Sequence, residues 1–478
     1  MGADNDRNHS SEKRVDSSSL YLQSADEGVC VPKETAPAFG ISAASCTCAR
    51  AIHCRNLPPL PMKRSLVTRW SILTLGLVLT LTSARAASAG SDWPGWRGPT
   101  ADGHAAAGQK VPTKWSETEN VIWRAAIRGR GHSSPTVVGN HVYIATADQA
   151  AMEQLVLCFD RATGKPVWET VVHRGKFDQA GHRNASPASS TVAWDGERLY
   201  INFLNDKAIY TAALDVSGKI LWQTRVAEYV IHQGFGSSPV IHESVVLVTA
   251  DHKGGGKVVG LNKRTGAIVW EQKRPEIANY PSIAILKVAG KYQAVLAGCE
   301  LVASFDPLTG NKLWEIEGST QETVVTAVTD GHRVFASGGY PKNHVIAVEA
   351  DGSKRIAWQN PARLYVPSML VRDGHIFATL DAGQAVCWKS DTGEELWREK
   401  VDRDFYSSPV MVGTRVYATS LRGVTSVFEA TPQAFKLISQ NQLGDEALAS
   451  PAICGNRIYL RSAKKGESRQ EYLWCIGE

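Results

Sequence analysis

The chain has 478 residues, of which 52 are Lys or Arg and 47 are Asp or Glu, so its formal net charge is +5. The basic residues are scattered through predicted turns and form no basic stripe, and there is no zinc-ligand spacing or RNA-binding signature. Composition and charge therefore exclude nucleic acid as a partner.

The first 61 residues lie outside any repeating pattern. They are rich in Ser, Ala and charged residues, show no periodic apolar face and end in the sequence Leu-Pro-Pro-Leu-Pro. Such a composition buries too little apolar surface to fold, so we expect a disordered leader. Our interpretation is that translation starts at Met62 and that residues 1–61 reflect a misassigned start. The alternative is a cytoplasmic tail before an uncleaved anchor.

Residues 62–89 have the three parts of a secretory signal peptide. Basic residues follow Met62, an apolar run extends from Trp70 to Thr82, and the small-residue sequence Ala-Arg-Ala begins at Ala84. The apolar run is shorter than the ~20 residues that span a bilayer, and no cysteine follows it at a lipidation position. We expect cleavage to release a single-domain protein, residues 90–478, into the periplasm or the extracellular space, with no integral membrane segment.

A Thr/Ser-Gly turn followed by a tryptophan recurs along the remaining chain. Asp or Asn caps the turn, and glycine accepts its positive φ. Units of about 45 residues indicate a repeated structural element. A buried indole covers roughly 150–250 Å², so we predict that the tryptophans fill the seams between neighbouring sheets. They are Trp168, Trp222, Trp270, Trp314, Trp397, Trp358 in a stretched copy, and Trp123 ahead of the first copy.

A Ser-Pro motif or a degenerate form of it opens each copy. A Val/Ile-rich strand, a glycine-containing turn, an aromatic strand and a second apolar run follow each opening. Each copy therefore predicts four short antiparallel strands, which is one propeller blade. The openings begin at positions 133, 185, 237, 281, 323, 367, 407 and 449.

Eight openings predict an all-β, eight-bladed β-propeller of four-stranded antiparallel blades. The last copy contains only three strands, and we expect Val121–Ile127 to supply its fourth strand and close the ring. Seven blades is the alternative if the copy at 323–359 or the copy at 407–443 is something else. The latter has no tryptophan, and residues 435–438 are expected to take its position.

Polar residues precede most of the openings. In a propeller these residues lie in the loops around the axial funnel on one face, where they form the surroundings that a small polar ligand needs. The alternative is that these residues are polar only because this face of the propeller is exposed to water, and that they bind no ligand. The candidate ligand-binding residues are His132, His182, Arg183, Asn184, His232, Gln233, Tyr280, Glu322, Tyr365, Asp404 and Tyr406. We assign no metal ligand and no catalytic residue.

The repeated Asp-x-x-Thr-Gly-x-x-x-Trp motif is similar to the tryptophan-docking motif of the PQQ-like propellers (PQQ is pyrroloquinoline quinone). That family includes the quinoprotein alcohol dehydrogenases and the outer-membrane-assembly propeller lipoproteins. The sequence Asp-Trp-Pro-Gly-Trp-Arg-Gly-Pro at 92–99, followed by Trp115 and Trp123, resembles the entry of a secreted bacterial subgroup. The resemblance covers residues 92–478.

The resemblance implies two functions. The first is a non-catalytic, monomeric binding or scaffold module without a cofactor, whose loop faces and funnel hold a protein or cell-envelope partner. The alternative is a PQQ-dependent oxidoreductase of alcohols or sugars, with calcium and an abbreviated active site. Quinoprotein dehydrogenases have an adjacent cysteine pair and a calcium site of Glu, Asn and Asp. This chain has no adjacent cysteine pair, so we favour the binding module.

Overall fold

A computed structural model describes residues 90, 92–177 and 181–478. The leader predicted at 1–61 and the signal peptide predicted at 62–89 lie outside these residues. In the described part the regular elements are 32 β-strands, and no helix there is long and apolar enough to cross a membrane. The strands form eight antiparallel four-stranded sheets. The predicted eight-bladed β-propeller is therefore confirmed.

The strands follow the chain from blade to blade, after β1 (Val121–Ile127). Blade 1 contains β2 (Thr136–Val138), β3 (His141–Asp148), β4 (Glu153–Asp160) and β5 (Pro166–Arg174). Blade 2 contains β6 (Ala193–Trp194), β7 (Leu199–Asn205), β8 (Ala208–Leu214) and β9 (Ile220–Glu228). Blade 3 contains β10 (Val240–His242), β11 (Val245–Ala250), β12 (Lys257–Asn262) and β13 (Ile268–Lys273). Blade 4 contains β14 (Ala284–Val288), β15 (Lys291–Gly298), β16 (Leu301–Phe305) and β17 (Lys312–Glu317).

The second half of the ring repeats this order. Blade 5 contains β18 (Val328–Thr329), β19 (Arg333–Gly338), β20 (His344–Glu349) and β21 (Ile356–Asn360). Blade 6 contains β22 (Leu370–Arg372), β23 (His375–Thr379), β24 (Gln384–Lys389) and β25 (Glu395–Lys400). Blade 7 contains β26 (Val410–Val412), β27 (Arg415–Thr419), β28 (Val424–Glu429) and β29 (Leu437–Gln442). Blade 8 contains β30 (Ala452–Cys454), β31 (Arg457–Lys465) and β32 (Arg469–Ile476).

Strand β1 completes blade 8. It pairs antiparallel with β32, with Trp123 opposite Cys475 and Ile127 opposite Glu471, so the order in this sheet is β1, β32, β31, β30. The inner strand β30 contacts β2, the inner strand of blade 1. The ring is thus closed by an N-terminal strand, as the sequence predicted.

The two middle strands of each blade are the most buried, and the outer strands are more exposed. Strand β7, second from the axis in its blade, is buried at every position, because both faces of the sheet pack against neighbouring blades. The outer strand β1 alternates between buried and exposed residues toward its end. Blades diverge with distance from the axis, so the outer strands have the most contact with water.

The glycine turn of one blade packs on the tryptophan of the preceding blade. Gly164 has a φ of +71°, and a Cβ added to it would lie 2.5 Å from the ring of Trp123. The Trp123 indole N–H donates to the Arg161 carbonyl in the same turn, at 3.0 Å. Glycine is therefore required here both for its φ and for the close approach. The same packing joins Gly218 to Trp168, Gly266 to Trp222, Gly310 to Trp270 and Gly393 to Trp358.

Blade 7 departs from the repeat. In blade 1, Trp168 lies opposite Cys158 beside a β-bulge, and the corresponding position in blade 7, opposite Val427, holds Ser439. The prediction that residues 435–438 take the tryptophan's place is therefore wrong. Phe435 precedes the outer strand and packs on Trp397 of blade 6, with ring centroids 5.6 Å apart.

Residues 92–105 cross the axial channel before the chain reaches β1. The segment forms hydrogen bonds with five blades or their entrances. Its partners are Val137 in blade 1, Trp194 in blade 2, Thr326 before blade 5, Met369 before blade 6 and Met411 in blade 7. Because these partners lie on different sides of the ring, the segment plugs the channel.

Candidate functional site

All eleven candidate side chains line one axial cavity of about 890 Å³. They come from seven of the eight loops that join the outer strand of one blade to the inner strand of the next, here called interblade loops. These loops lie on one face of the propeller because every inner strand starts there. A cavity of this volume falls within the range of small-ligand sites. A ligand-binding role for these residues remains a prediction.

Trp96, from the segment 92–105, also lines the axial cavity. Its indole N–H donates to Thr326 Oγ1 at 2.9 Å, which holds the ring across the channel. The segment 92–105 therefore crosses the axis at this cavity. The sequence marked Trp96 only as part of the motif at 92–99, and nothing in its local pattern places it at the axis.

Two further charged residues line the axial cavity and were not predicted. Arg363 lies in the same interblade loop as Tyr365 and could have been found by extending the search two residues upstream. Asp381 lies in the turn between β23 and β24, inside blade 6, so a search of interblade loops could not find it.

Glu322 joins the walls contributed by three other interblade loops. The residue is buried, with 4% of its surface exposed. Its Oε2 accepts hydrogen bonds from Tyr365 at 3.2 Å and from Tyr280 at 3.5 Å, and its Oε1 lies 3.3 Å from His232 Nε2. Burial, and then the Glu322 charge, raise the pKa of both phenols. The tyrosines therefore stay neutral and act as donors.

Asp381 is held by the loop that carries Tyr365. Its Oδ2 accepts the Tyr365 backbone N–H at 2.7 Å, and its Oδ1 accepts that of Val366 at 3.1 Å. Burial raises the pKa of Asp381 above its ordinary value, although these hydrogen bonds oppose the rise. Tyr365 thus connects two carboxyl groups, Glu322 through its hydroxyl and Asp381 through its backbone.

The opposite side of the axial cavity is neutral to basic. Burial, followed by the charges of Arg130 and Arg461, holds the pKa of His132 well below its ordinary range, so the imidazole is neutral at pH 7. His132 Nδ1 lies 3.4 Å from Ser189 Oγ. Arg183 and His182 belong to the next interblade loop. The carboxyl groups of Glu322, Asp381 and Asp404 therefore lie across the ring from Arg183 and His182, and Arg363 is the basic group on their own side.

The cavity residues do not fit the calcium and quinone site that the resemblance describes. Nowhere in the described residues do three His, Cys, Asp or Glu side chains form a group that could hold a metal. The five cysteines of the propeller are buried free thiols, and none of them lines the axial cavity. Burial raises the pKa of Cys158 and of Cys387 to about 12, so these thiols are inert.

Comparison with known proteins gives consistent matches. A family model described as outer membrane protein assembly factor BamB matches residues 152–399 and 367–470. Outer membrane protein assembly factor BamB of Bordetella pertussis (strain Tohama I) is 22% identical over 348 residues, which are 69% of this chain and 80% of that protein.

Two solved structures share the fold. The crystal structure of BamB from Moraxella catarrhalis aligns with a TM-score of 0.53 and 16% identity, covering 74% of this chain and 96% of that one. Quinohemoprotein alcohol dehydrogenase from Comamonas testosteroni aligns with a TM-score of 0.58 and 12% identity, covering 82% of each chain. At these identities the structural likeness establishes the fold alone.

Proposed function

The chain belongs to the family of outer membrane protein assembly factor BamB, and we propose that it is a non-catalytic binding module for a protein partner in the cell envelope. The partner binds the face formed by the interblade loops, around the axial cavity. We further propose that the protein acts in the periplasm or outside the cell, as a monomer and without a cofactor. The relatives' name as an assembly factor supports this proposal, since the chain spans most of their length.

The observation that carries the proposal is the convergence of all eight interblade loops around one cavity, which the segment 92–105 crosses at the axis. The mouth presents Tyr340, which is 53% exposed, together with the exposed residues Arg183, Arg363 and Asp404. Tyrosine and arginine are enriched among the residues that dominate binding energy at protein interfaces. Because the channel is blocked, a partner would bind the surface around its mouth and would not pass through it.

Site-specific photo-crosslinking in the native cell envelope tests this proposal. A photoreactive amino acid at Tyr340 should capture a discrete protein partner. The matched control is Tyr292, which is 51% exposed and follows the turn between β14 and β15 on the opposite face. Equal capture from both positions, or capture from Tyr292 alone, would show that the interblade face is not the binding surface.

A second measurement addresses the alternative function. Purified protein is mixed with PQQ and calcium, and dye-linked oxidation of alcohols and sugars is followed. We expect no saturable activity, because the cavity residues do not form the family's metal site. Activity that Arg183→Ala abolishes would replace the binding module with a quinone-dependent oxidoreductase.

A further inference from the structure

A second cavity, of about 490 Å³, opens beside the axial one. It lies under the interblade loops that precede blades 2 and 3, and we call it the side cavity. It shares His182, Arg183, Ser189 and Phe235 with the axial cavity. Its volume is sufficient for a small organic ligand.

Among the residues that the structure describes, the charged groups that line the side cavity are all basic. Arg130, Arg183 and His182 contribute to the wall, and no Asp or Glu does so among the described lining residues. Neither arginine forms an ion pair with any described residue. Arg128, two residues before Arg130, is paired with three carboxylates, those of Asp148, Glu153 and Glu169. The Arg130 guanidinium therefore has no counter-charge at this cavity wall among the residues that the structure describes.

Two buried donors of the side cavity also lack an acceptor. Ser190 is 1% exposed, and neither its Oγ nor the buried Nε of Arg130 forms a hydrogen bond with any residue in the described part of the chain. Buried polar groups are nearly always hydrogen-bonded, and an unmade bond is unfavourable. An oxyanion in the side cavity would supply acceptors to both groups.

Part of the remaining wall is apolar, beside the polar side chains of Gln149 and Asn202. Its apolar residues are Met152, Phe177, Leu204, Ile231 and Phe235. Guanidinium groups bind carboxylate and phosphate oxygens with paired hydrogen bonds, whereas these side chains favour a hydrocarbon body. A fully hydrophilic anion would leave the apolar part of the wall without contacts.

We propose that the side cavity binds a small amphiphilic oxyanion, a carboxylate or phosphate ester carried on an acyl chain or aromatic ring. Arg130 and Ser190 donate to the oxyanion, and Met152 and Leu204 are among the residues that contact its apolar body. Arg130 and Ser190 line the side cavity and not the axial cavity, so anion binding does not rest on the protein partner proposed for the interblade face. Failure of the crosslinking experiment would leave it untouched.

Isothermal titration calorimetry of the full chain tests the side cavity with three probes: octanoate, phenyl phosphate and the neutral octanamide. We expect saturable 1:1 binding of at least one anion and binding about tenfold weaker for octanamide, the effect of losing hydrogen bonds to a charged group. The stronger of the two anions identifies the headgroup. Equal affinity for octanamide, or no binding of either anion at millimolar concentration, would overturn the proposal.

Two variants locate the binding site. Arg130→Met should weaken anion binding about tenfold, because it removes a cationic donor, and Ser190→Ala about fivefold, because it removes one hydroxyl donor to the anion. Ser190→Ala removes no hydrogen bond within the protein, so it keeps the test valid if Arg130→Met unfolds. The control is Arg264→Met, whose side chain is 70% exposed in a turn on the opposite face. Unchanged affinity in Ser190→Ala, or a loss in the control equal to that in Arg130→Met, would contradict the assignment.

Discussion

Trp115, from the segment ahead of β1, stacks on Tyr417 of blade 7, with ring centroids 6.3 Å apart and ring planes inclined by 8°. In blade 1 the aromatic residue of the second strand, Tyr143, contacts the tryptophan of its own blade, Trp168. Blade 7 has no tryptophan of its own, and Trp115 supplies the missing indole from outside the blade. Its backbone N–H donates to Asn441 Oδ1 at 3.0 Å, which fixes the ring against the outer strand.

Replacing Trp115 should therefore cost as much stability as replacing a core residue. The side chain is 4% exposed, and Trp115→Ala is expected to lower the free energy of unfolding by about 3–5 kcal/mol. Urea denaturation followed by circular dichroism measures the change. The exposed neighbour is the control, since Lys114→Ala should change stability by less than about 0.5 kcal/mol. A similarly small change in Trp115→Ala would mean that the stability of the protein does not depend on the Trp115 indole packed against blade 7.

Two reasons for glycine in these turns can be tested separately: the close contact with a tryptophan ring and the positive φ, which a residue with a Cβ adopts only at a cost in stability. Gly164 and Gly352 have φ values of +71° and +90°, but only at Gly164 would an added Cβ meet a neighbour, the ring of Trp123. We expect Gly164→Ala to be about 1–3 kcal/mol more destabilising than Gly352→Ala. Parallel urea titrations give the difference directly. Equal losses would show that conformation alone requires glycine at these turns.

A buried ion pair connects blade 8 to blade 1. The Arg461 and Glu471 side chains are each 2% exposed, Arg461 Nη1 donates to the Ala145 carbonyl at 2.7 Å, and Gly131 donates its N–H to Glu471 Oε1 at 3.3 Å. Glu471→Ala leaves a buried cation unpaired and should cost about 3–5 kcal/mol, measured by urea denaturation.

An exposed ion pair provides the comparison. Glu228 pairs with Arg225 at 3.3 Å, but its side chain is 82% exposed, so Glu228→Ala should cost less than about 1 kcal/mol. If the two substitutions have the same small effect, the Arg461–Glu471 pair does not secure the junction between blades 8 and 1.

Stability should fall in acid in part because of His173. Burial lowers the pKa of His173 to about 4, against an ordinary value of about 6.5 in an unfolded chain. Protonation therefore favours the unfolded state, and the contribution of neutral His173 is complete above pH ~6.5 and is lost as the pH falls toward 4. His173→Gln should reduce the decline in unfolding free energy over this interval.

The matched control for that measurement is Gln223→Ala. Gln223 Nε2 lies 3.0 Å from His173 Nε2, so this substitution removes the partner but keeps the titrating imidazole. The acid-induced decline should persist in Gln223→Ala. A decline of wild-type size in His173→Gln would assign the pH dependence to other groups.

The eight blades were predictable because each carries its own local signals. The Ser-Pro openings and glycine turns recur within every 45 residues or so, and even β1 was recognisable from its apolar pattern and Trp123. The register in blade 7 was not predictable, because without a Thr-Gly turn nothing in the sequence fixes where β29 begins. A seven-residue interval separates Glu429 from Leu437, and Ser439 rather than residues 435–438 reaches the tryptophan position.

The axial cavity was predictable as far as the topology determines it. Residues that precede the inner strands must converge around the axis, whatever their identity. His132 and Glu322 therefore line the same cavity. Trp96 and Trp115 belong to a segment that does not repeat, and its path depends on tertiary contacts with distant blades. The side cavity depends on the orientation of Arg130 and Ser190 relative to each other, which no linear pattern encodes.

The pairing of β1 with β32 imposes an order on biosynthesis. Residues 121–127 emerge from the ribosome long before residues 469–476, so β1 has no strand of its own blade to pair with until more than 300 further residues have been made. Contacts of such large sequence separation form slowly, because a long loop must close first. Seven blades can form before the eighth blade, which is incomplete until β32 pairs with β1. A chain that stops before Arg469 would therefore keep β1 and the inner part of blade 8 as unpaired edges, open to association with other chains.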